Sequence, residues 1–338
     1  MSPGRRRALS RAAFAQLKEA EVAGAILRIV LSLITRDNDY QLEQASAAEQ
    51  AASRLGVQLQ VLFAGNDAIQ QSTQILNVIQ AHGAQADAIL VEPASRTGFP
   101  KVARAAVAAG TAWVVLNGEV EYLKELRSAA KVPAFSVSAD NHQVGRIQGL
   151  QLASILPHGG CVLYLQGPTS SSVVEPRKTG MLETKPSAVS IKTLRSVDWT
   201  EEGGYHAVSS WLRLSTAHNE SIDAVQAQND FLALGARRAF EQQTTGLERE
   251  SRTKLPFLGV DGLPRTGQAW VRQGSLTATV VVPPTAGQAL ETLVNAMRAG
   301  IQPAERTLVS PQSFPDPGDL AAEPVAERDL EKRKEQPI

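Results

Sequence analysis

From Leu27 onward the chain alternates between short apolar runs and longer stretches with helical periodicity. Leu27–Ile34 reads as a strand buried on both faces, and Leu42–Leu55 as an alanine-rich helix closed by Gly56. Val57–Phe63 is a second strand. It precedes a helix over Ala68–Ala81 whose Ile69, Ile75, Leu76 and Ile79 fall largely on one face. Strands follow at Ala88–Val91, Ala112–Leu116 and Ala134–Val137, and then a long helix over Asn141–Leu156. The second half repeats the scheme, with strands at Cys161–Leu165, Val189–Arg195, Ile222–Ala227, Phe257–Val260, Leu276–Val282 and Arg306–Val309. Alternation of this kind demands parallel sheets with right-handed crossovers and helices on both faces. The expected fold is α/β, with two doubly wound parallel-sheet lobes of about five or six strands each.

Open α/β sheets gather ligands at the carboxyl ends of their strands, so the chemistry of such a chain is expected there. Ile222–Ala236 is the most informative. A short apolar strand stops at Gln228-Asn229-Asp230, and a helix restarts at Phe231 with Asp230 in the N-cap position. The three polar side chains donate and accept, which suits a neutral hydroxyl-rich molecule better than a phosphate; capping alone would also explain Asn229 and Asp230. Polar or aromatic residues recur at other strand ends: T-R-D-N-D-Y at Thr35–Tyr40, Glu92-Pro93, Asn117, Gln166-Gly167 with Arg177 beyond, S-V-D-W at Ser196–Trp199, and Asp261-Gly262. Trp113, inside an apolar strand, reads as core.

Composition removes other classes. Lys plus Arg equals Asp plus Glu at 34 each, so charge favours neither nucleic acid nor an anionic membrane. The one cysteine, Cys161, rules out an internal disulfide and opens an apolar run, where a buried inert thiol is expected. No apolar run approaches the ~18 residues of a membrane span. The nucleophile elbow, the P-loop, the dinucleotide fingerprint and the zinc-protease helix are all missing. Five scattered histidines and an incomplete Asp37-Asn38-Asp39 calcium signature leave no catalytic residue, metal ligand or cofactor to assign. Arg5, Arg6, Arg7 and Arg11 could open a signal peptide, but Lys18, Glu19 and Glu21 stand where its apolar region belongs, so none is readable.

A-Q-N-D-F-L-A-L-G-A at Ala227–Ala236 and F-L-G-V-D-G at Phe257–Gly262 resemble the type I periplasmic sugar-binding proteins, ribose-binding proteins among them. The ligand domains of sugar repressors share that fold. The resemblance runs from about Leu27 to Pro311. It implies sugar contact by Asn38 and Tyr40, hydroxyl binding by Asn229 and Asp261, and stacking by Trp199. It also implies a ligand role for Arg177, set in E-P-R-K-T-G-M, and it places the family's acidic residue at Asn117. Two positions depart: Gly118 stands where an arginine is usual, and Val282, in V-V-V-P-P, where a glutamine is usual. An unpaired buried polar group costs about 1–3 kcal/mol, so ribose in its usual pose should be rejected. A deoxy or methylated sugar, a cyclitol, or something less sugar-like is expected instead.

The resemblance further implies a three-crossing hinge near Ser138, Pro283 and Ser310. The expected division is an N-terminal extension over 1–26, one lobe from 27–138 plus 283–309, another from 139–282 plus 310–315, and a disordered tail over 316–338. The implied protein is a monomeric, non-enzymatic binder that hands a small sugar, deoxysugar or cyclitol to an ABC-type permease in the periplasm, without nucleic acid. The unreadable signal peptide leaves a second reading open, a cytoplasmic sensor of the same fold acting through a partner, and scattered carboxylates leave a third, a hydrolase or epimerase using Asp261 or Glu92.

Overall fold

The computed structural model describes residues 26–320 apart from 82–84, 216, 218 and 219. The signal-peptide reading, His82, His218 and the tail beyond 320 therefore lie outside the described residues. The first lobe opens with β1 (Arg28–Leu33), α1 (Asp39–Leu55), β2 (Gln58–Phe63), α2 (Ala68–Gln80) and β3 (Ala88–Val91). It continues through α3 (Pro100–Ala108), β4 (Ala112–Leu116), α4 (Leu123–Ala129) and β5 (Ala134–Ala139). The second lobe holds α5 (Asn141–Ile155), β6 (Gly160–Gln166), α6 (Val174–Thr184), β7 (Val189–Arg195) and α7 (Glu201–Leu212). After these come β8 (Ala224–Ala227), α8 (Asp230–Gln243), α9 (Gly246–Thr253), β9 (Phe257–Leu258), α10 (Gly267–Arg272) and β10 (Thr279–Val281). The chain then returns to the first lobe for α11 (Ala286–Ala299) and β11 (Arg306–Val309), and ends with β12 (Gln312–Phe314) in the second.

Six parallel strands in the order β11-β5-β4-β3-β1-β2 form the first sheet. Alternate residues of β1 serve opposite faces. Ile29, Leu31 and Leu33 pack with the alanines of α1 and with Leu290 and Leu293 of α11, while Val30 joins Ile75, Val102 and Ala106 on the other side. Burial on both faces is what makes such strands continuously apolar. The helix ends follow the sequence: Asn38 caps α1, and Gly56, at φ +65°, closes it in the left-handed conformation. Trp113 is fully buried, as read from its strand, and its indole donates to the Tyr122 hydroxyl.

The second sheet is smaller than the five or six strands expected. Four parallel strands run β7-β6-β8-β9, and β10 pairs antiparallel with β12 beside them. Two helices, α4 and α9, were not anticipated. Cys161 is only partly buried, not a core thiol. Residues 316–320, placed in the tail by sequence, are ordered against the lobe: Asp319 N and Leu320 N bond back to Asp316 O and Pro317 O, and the Leu320 side chain packs against the β6 core.

The chain passes between the lobes after β5, after β10 and after β11. The first passage lies just beyond Ser138, which is still within β5. Asp140 N donates to Val309 O at 3.0 Å, tying two of the passages together.

Candidate ligand-binding cavity

The carboxyl ends of both sheets meet at one cavity beside these passages, about 60 Å³ in which the centre of a water molecule can lie. Asn38, Tyr40, Asn117, Arg177, Trp199, Asn229 and Asp261 all line it, together with Glu92.

On the first-lobe side, Asn38 spends its Oδ1 on capping, accepting from Tyr40 N at 2.9 Å and Gln41 N at 3.4 Å. Its Nδ2 reaches across the cleft to Trp199 O at 3.2 Å. The Tyr40 hydroxyl donates to Pro283 O at 3.3 Å and accepts from Asn117 Nδ2 at 3.2 Å. Its ring packs against Val280 and Val282, and burial beside Glu92 holds the phenol proton firmly in place. Asn117 sits at φ +46°, in the left-handed region, where asparagine is better tolerated than most residues. Its amide also donates to Glu92 Oε2 at 3.3 Å, and its Oδ1 accepts from Thr285 at 3.2 Å.

Glu92, at the end of β3, is the residue that sequence reasoning undervalued. It is absent from the expected ligand contacts, yet it brings to the cavity the carboxylate that Asn117 lacks. Gln44 Nε2 donates to Glu92 Oε2 at 3.2 Å, and Gln41 adds a further hydrogen bond. Burial pushes the carboxyl up to about 7 against the pull of these amides. One signal pointed to Gln44: it shares the buried face of α1 with Ala45, Ala48 and Ala51, where a polar side chain needs a partner.

On the second-lobe side, Arg177 projects from α6. Its Nε donates to Asn141 Oδ1 at 2.9 Å and its Nη1 to Gln228 O at 2.5 Å. Burial lowers its pKa, and the charge of Asp261 is the main opposing influence. The guanidinium lies 5.9 Å from the centre of the Trp199 ring. Gly167 allows that ring its place, since a Cβ there would lie 2.1 Å from Trp199 Cη2. Asn229, not Asp230, is the N-cap of α8: its Oδ1 accepts from Leu232 N at 2.8 Å, and its Nδ2 donates to Trp199 O at 2.9 Å. Asp230 is the first residue of the helix and turns inward behind the cavity wall, accepting from Thr279 Oγ1 at 2.6 Å and Gly262 N at 2.8 Å.

Asp261, at φ +109°, is held in strained backbone. Among the described residues its carboxylate accepts no hydrogen bond, and it lines the cavity wall. Removal from bulk water raises its pKa, an effect opposed by Arg177 and reinforced by Asp230 and Glu92. At the two departures, Val282 presents an apolar surface to the cavity. Gly118 faces the opposite lobe so closely that a Cβ would come 3.1 Å from Ser172 Oγ.

A cleft between two parallel sheets, reached by three chain passages and walled by their strand ends, is an arrangement shared with known proteins. The model of the periplasmic binding protein domain matches residues 29–300. This chain belongs to that family. A ribose import binding protein of Bacillus subtilis (strain 168) is 25% identical over 256 residues, 76% of this chain and 76% of that protein. An ABC transporter solute binding protein from Mycobacterium smegmatis, solved with glycerol, superposes with TM-score 0.73 at 24% identity, covering 88% of this chain and 96% of that one. A Caulobacter myo-inositol binding protein, solved with myo-inositol, gives TM-score 0.73 at 21% identity over 88% and 95%. At those identities the two solved structures establish the fold.

Proposed function

We propose that this periplasmic binding protein is the solute receptor of an ABC-type importer and captures one small polyhydroxylated molecule between its lobes. The observation that carries this reading is the convergence of seven polar or aromatic residues, from strand and helix ends of both lobes, on one cavity. The family and the ribose import relative support it. Trp199 and Tyr40 offer ring faces, Arg177 and Asp261 offer hydroxyl partners, and the chain passages act as a hinge. The protein works in the periplasm as a monomer and carries out no reaction on its ligand.

Val282 and Gly118 remove two polar partners, so plain ribose is a poor ligand and a deoxysugar, methylated sugar or cyclitol a better one. Native mass spectrometry of the freshly purified protein and thermal-shift measurements with pentoses, hexoses, deoxysugars and inositol test this. A ligand at 100 times its Kd should stabilise the fold by about 2.7 kcal/mol. Arg177→Ala should abolish that stabilisation. No bound mass and no shift across the panel would overturn the receptor reading, and tight ribose binding would overturn the specificity.

A further inference from the structure

The charges in the cavity wall do not balance. Two carboxylates, Glu92 and Asp261, face a single guanidinium, Arg177, with no lysine or second arginine in the wall. Asp261 is the largest charge acting on Arg177, and Arg177 the largest favourable charge acting on Asp261. Those two charges therefore act mainly on each other. Glu92 is held chiefly by neutral amides, those of Gln41, Asn117 and Gln44, and the charge of Arg177 contributes least. The arginine that the resemblance implies after Asn117 is Gly118 here, so no second guanidinium comes from that position. Asp230, just behind the wall, adds negative charge and no positive.

Glu92 keeps its proton up to about 7 because burial penalises the bare carboxylate, and ionised it costs several kcal/mol without a counter-charge beside it. A neutral polyol offers Glu92 hydroxyl hydrogen bonds but no charge. An ammonium group supplies the missing cation together with three donors, and the ring faces of Tyr40 and Trp199 favour a cation as well. We propose that the ligand is a polyol bearing one protonated amine, of the aminosugar or aminocyclitol class, with its ammonium group against Glu92 and its hydroxyls on Arg177, Asp261 and the asparagines. This inference rests on the receptor reading above.

The test is calorimetric titration of the full-length protein at neutral pH with matched pairs: glucosamine and glucose, galactosamine and galactose, an aminodeoxyinositol and inositol. At least one amine is expected to bind about tenfold or more tightly than its hydroxyl counterpart. Glu92→Gln should cost that amine at least about tenfold more than it costs the counterpart, with circular dichroism showing that the variant is folded. If Glu92→Gln does not fold, Asp261→Asn serves as the second variant. It should weaken both members of a pair and leave the preference for the amine in place. Equal or tighter binding of the neutral member in every pair, or a preference that survives Glu92→Gln, overturns the amine proposal and leaves the receptor reading intact. Binding by no member of any pair counts against the receptor reading itself and removes this proposal with it.

Discussion

Asn117 and Asp261 hold left-handed backbone at φ +46° and +109° at the edges of the two sheets, aimed at the same cavity. Strain of this kind costs about 1–3 kcal/mol and persists where its surroundings over-determine it. Asn117 is held by Tyr40, Glu92 and Thr285, and Asp261 by backbone bonds to Val280 and Val282. Glu92 stores a second kind of cost, with a pH signature. Its carboxyl rises from an ordinary 4.5 to about 7 in the fold, so between those values the folded state holds a proton that the unfolded chain has lost. Stability from this group is complete below about 4.5 and is lost as pH climbs through about 7. Asp230, raised from 3.8 to about 7 by burial, acts in the same direction. The ligand-free protein should therefore lose stability between pH 5 and pH 8, by on the order of a few kcal/mol. Urea denaturation across that range checks this, and Glu92→Gln should flatten the slope. An unchanged slope in the variant would show that Glu92 does not titrate in this window.

The elements of the second lobe are fitted by glycines where helices touch backbone to backbone. A Cβ on Gly145 of α5 would lie 1.9 Å from Arg177 O, and one on Gly180 of α6 would lie 2.1 Å from His142 O. The helix that carries Arg177 thus reaches the cavity only because α5 lets it come so close. Gly145→Ala should separate the pair, destabilise the fold by about 1–3 kcal/mol, and weaken ligand binding as the Arg177–Gln228 bond is lost. Thermal melts read the first effect and calorimetry the second; retained affinity would show that α6 positions Arg177 without this contact. These contacts mark where sequence legibility ended. The strand and helix alternation was readable because strands buried on both faces must be apolar, as β3 and β4 are. The cavity residues at strand ends were readable from motif and position. Glu92 was not, because nothing local shows that Gln44 and Asn117 converge on it from two other elements. The shortness of β9 was hidden too. A Cβ at Gly259 would lie 2.1 Å from Asp230 Oδ1, so the residue after the strand has no side chain and a buried carboxylate from another segment lies against it.

At the scale of the whole molecule, one carbonyl oxygen joins the lobes. Trp199 O accepts from Asn229 within its own lobe and from Asn38 across the cleft, at 2.9 and 3.2 Å. Only the Asn38 bond depends on closure, since moving the lobes apart breaks it and leaves the Asn229 bond intact. A ligand stabilises whichever arrangement gives it more contacts, and a cavity walled by both lobes gives most when shut. Asn38→Asp separates the two duties of this residue. Aspartate caps a helix as well as asparagine does, so α1 keeps its start, but the variant has no donor for Trp199 O and sets a negative charge against that oxygen. One lost hydrogen bond is about 0.5–1.5 kcal/mol, and the repulsion adds to it, so affinity should fall about tenfold while the melting temperature of the ligand-free protein stays within a degree or two. Small-angle scattering should show the ligand-free variant more open than the wild type, with both compacting at saturating ligand. Asn229→Asp is the control: it loses a bond within one lobe and should leave the scattering profile unchanged. If Asn38→Asp scatters like the wild type and binds as tightly, the bond across the cleft is incidental and closure is carried by the ligand alone.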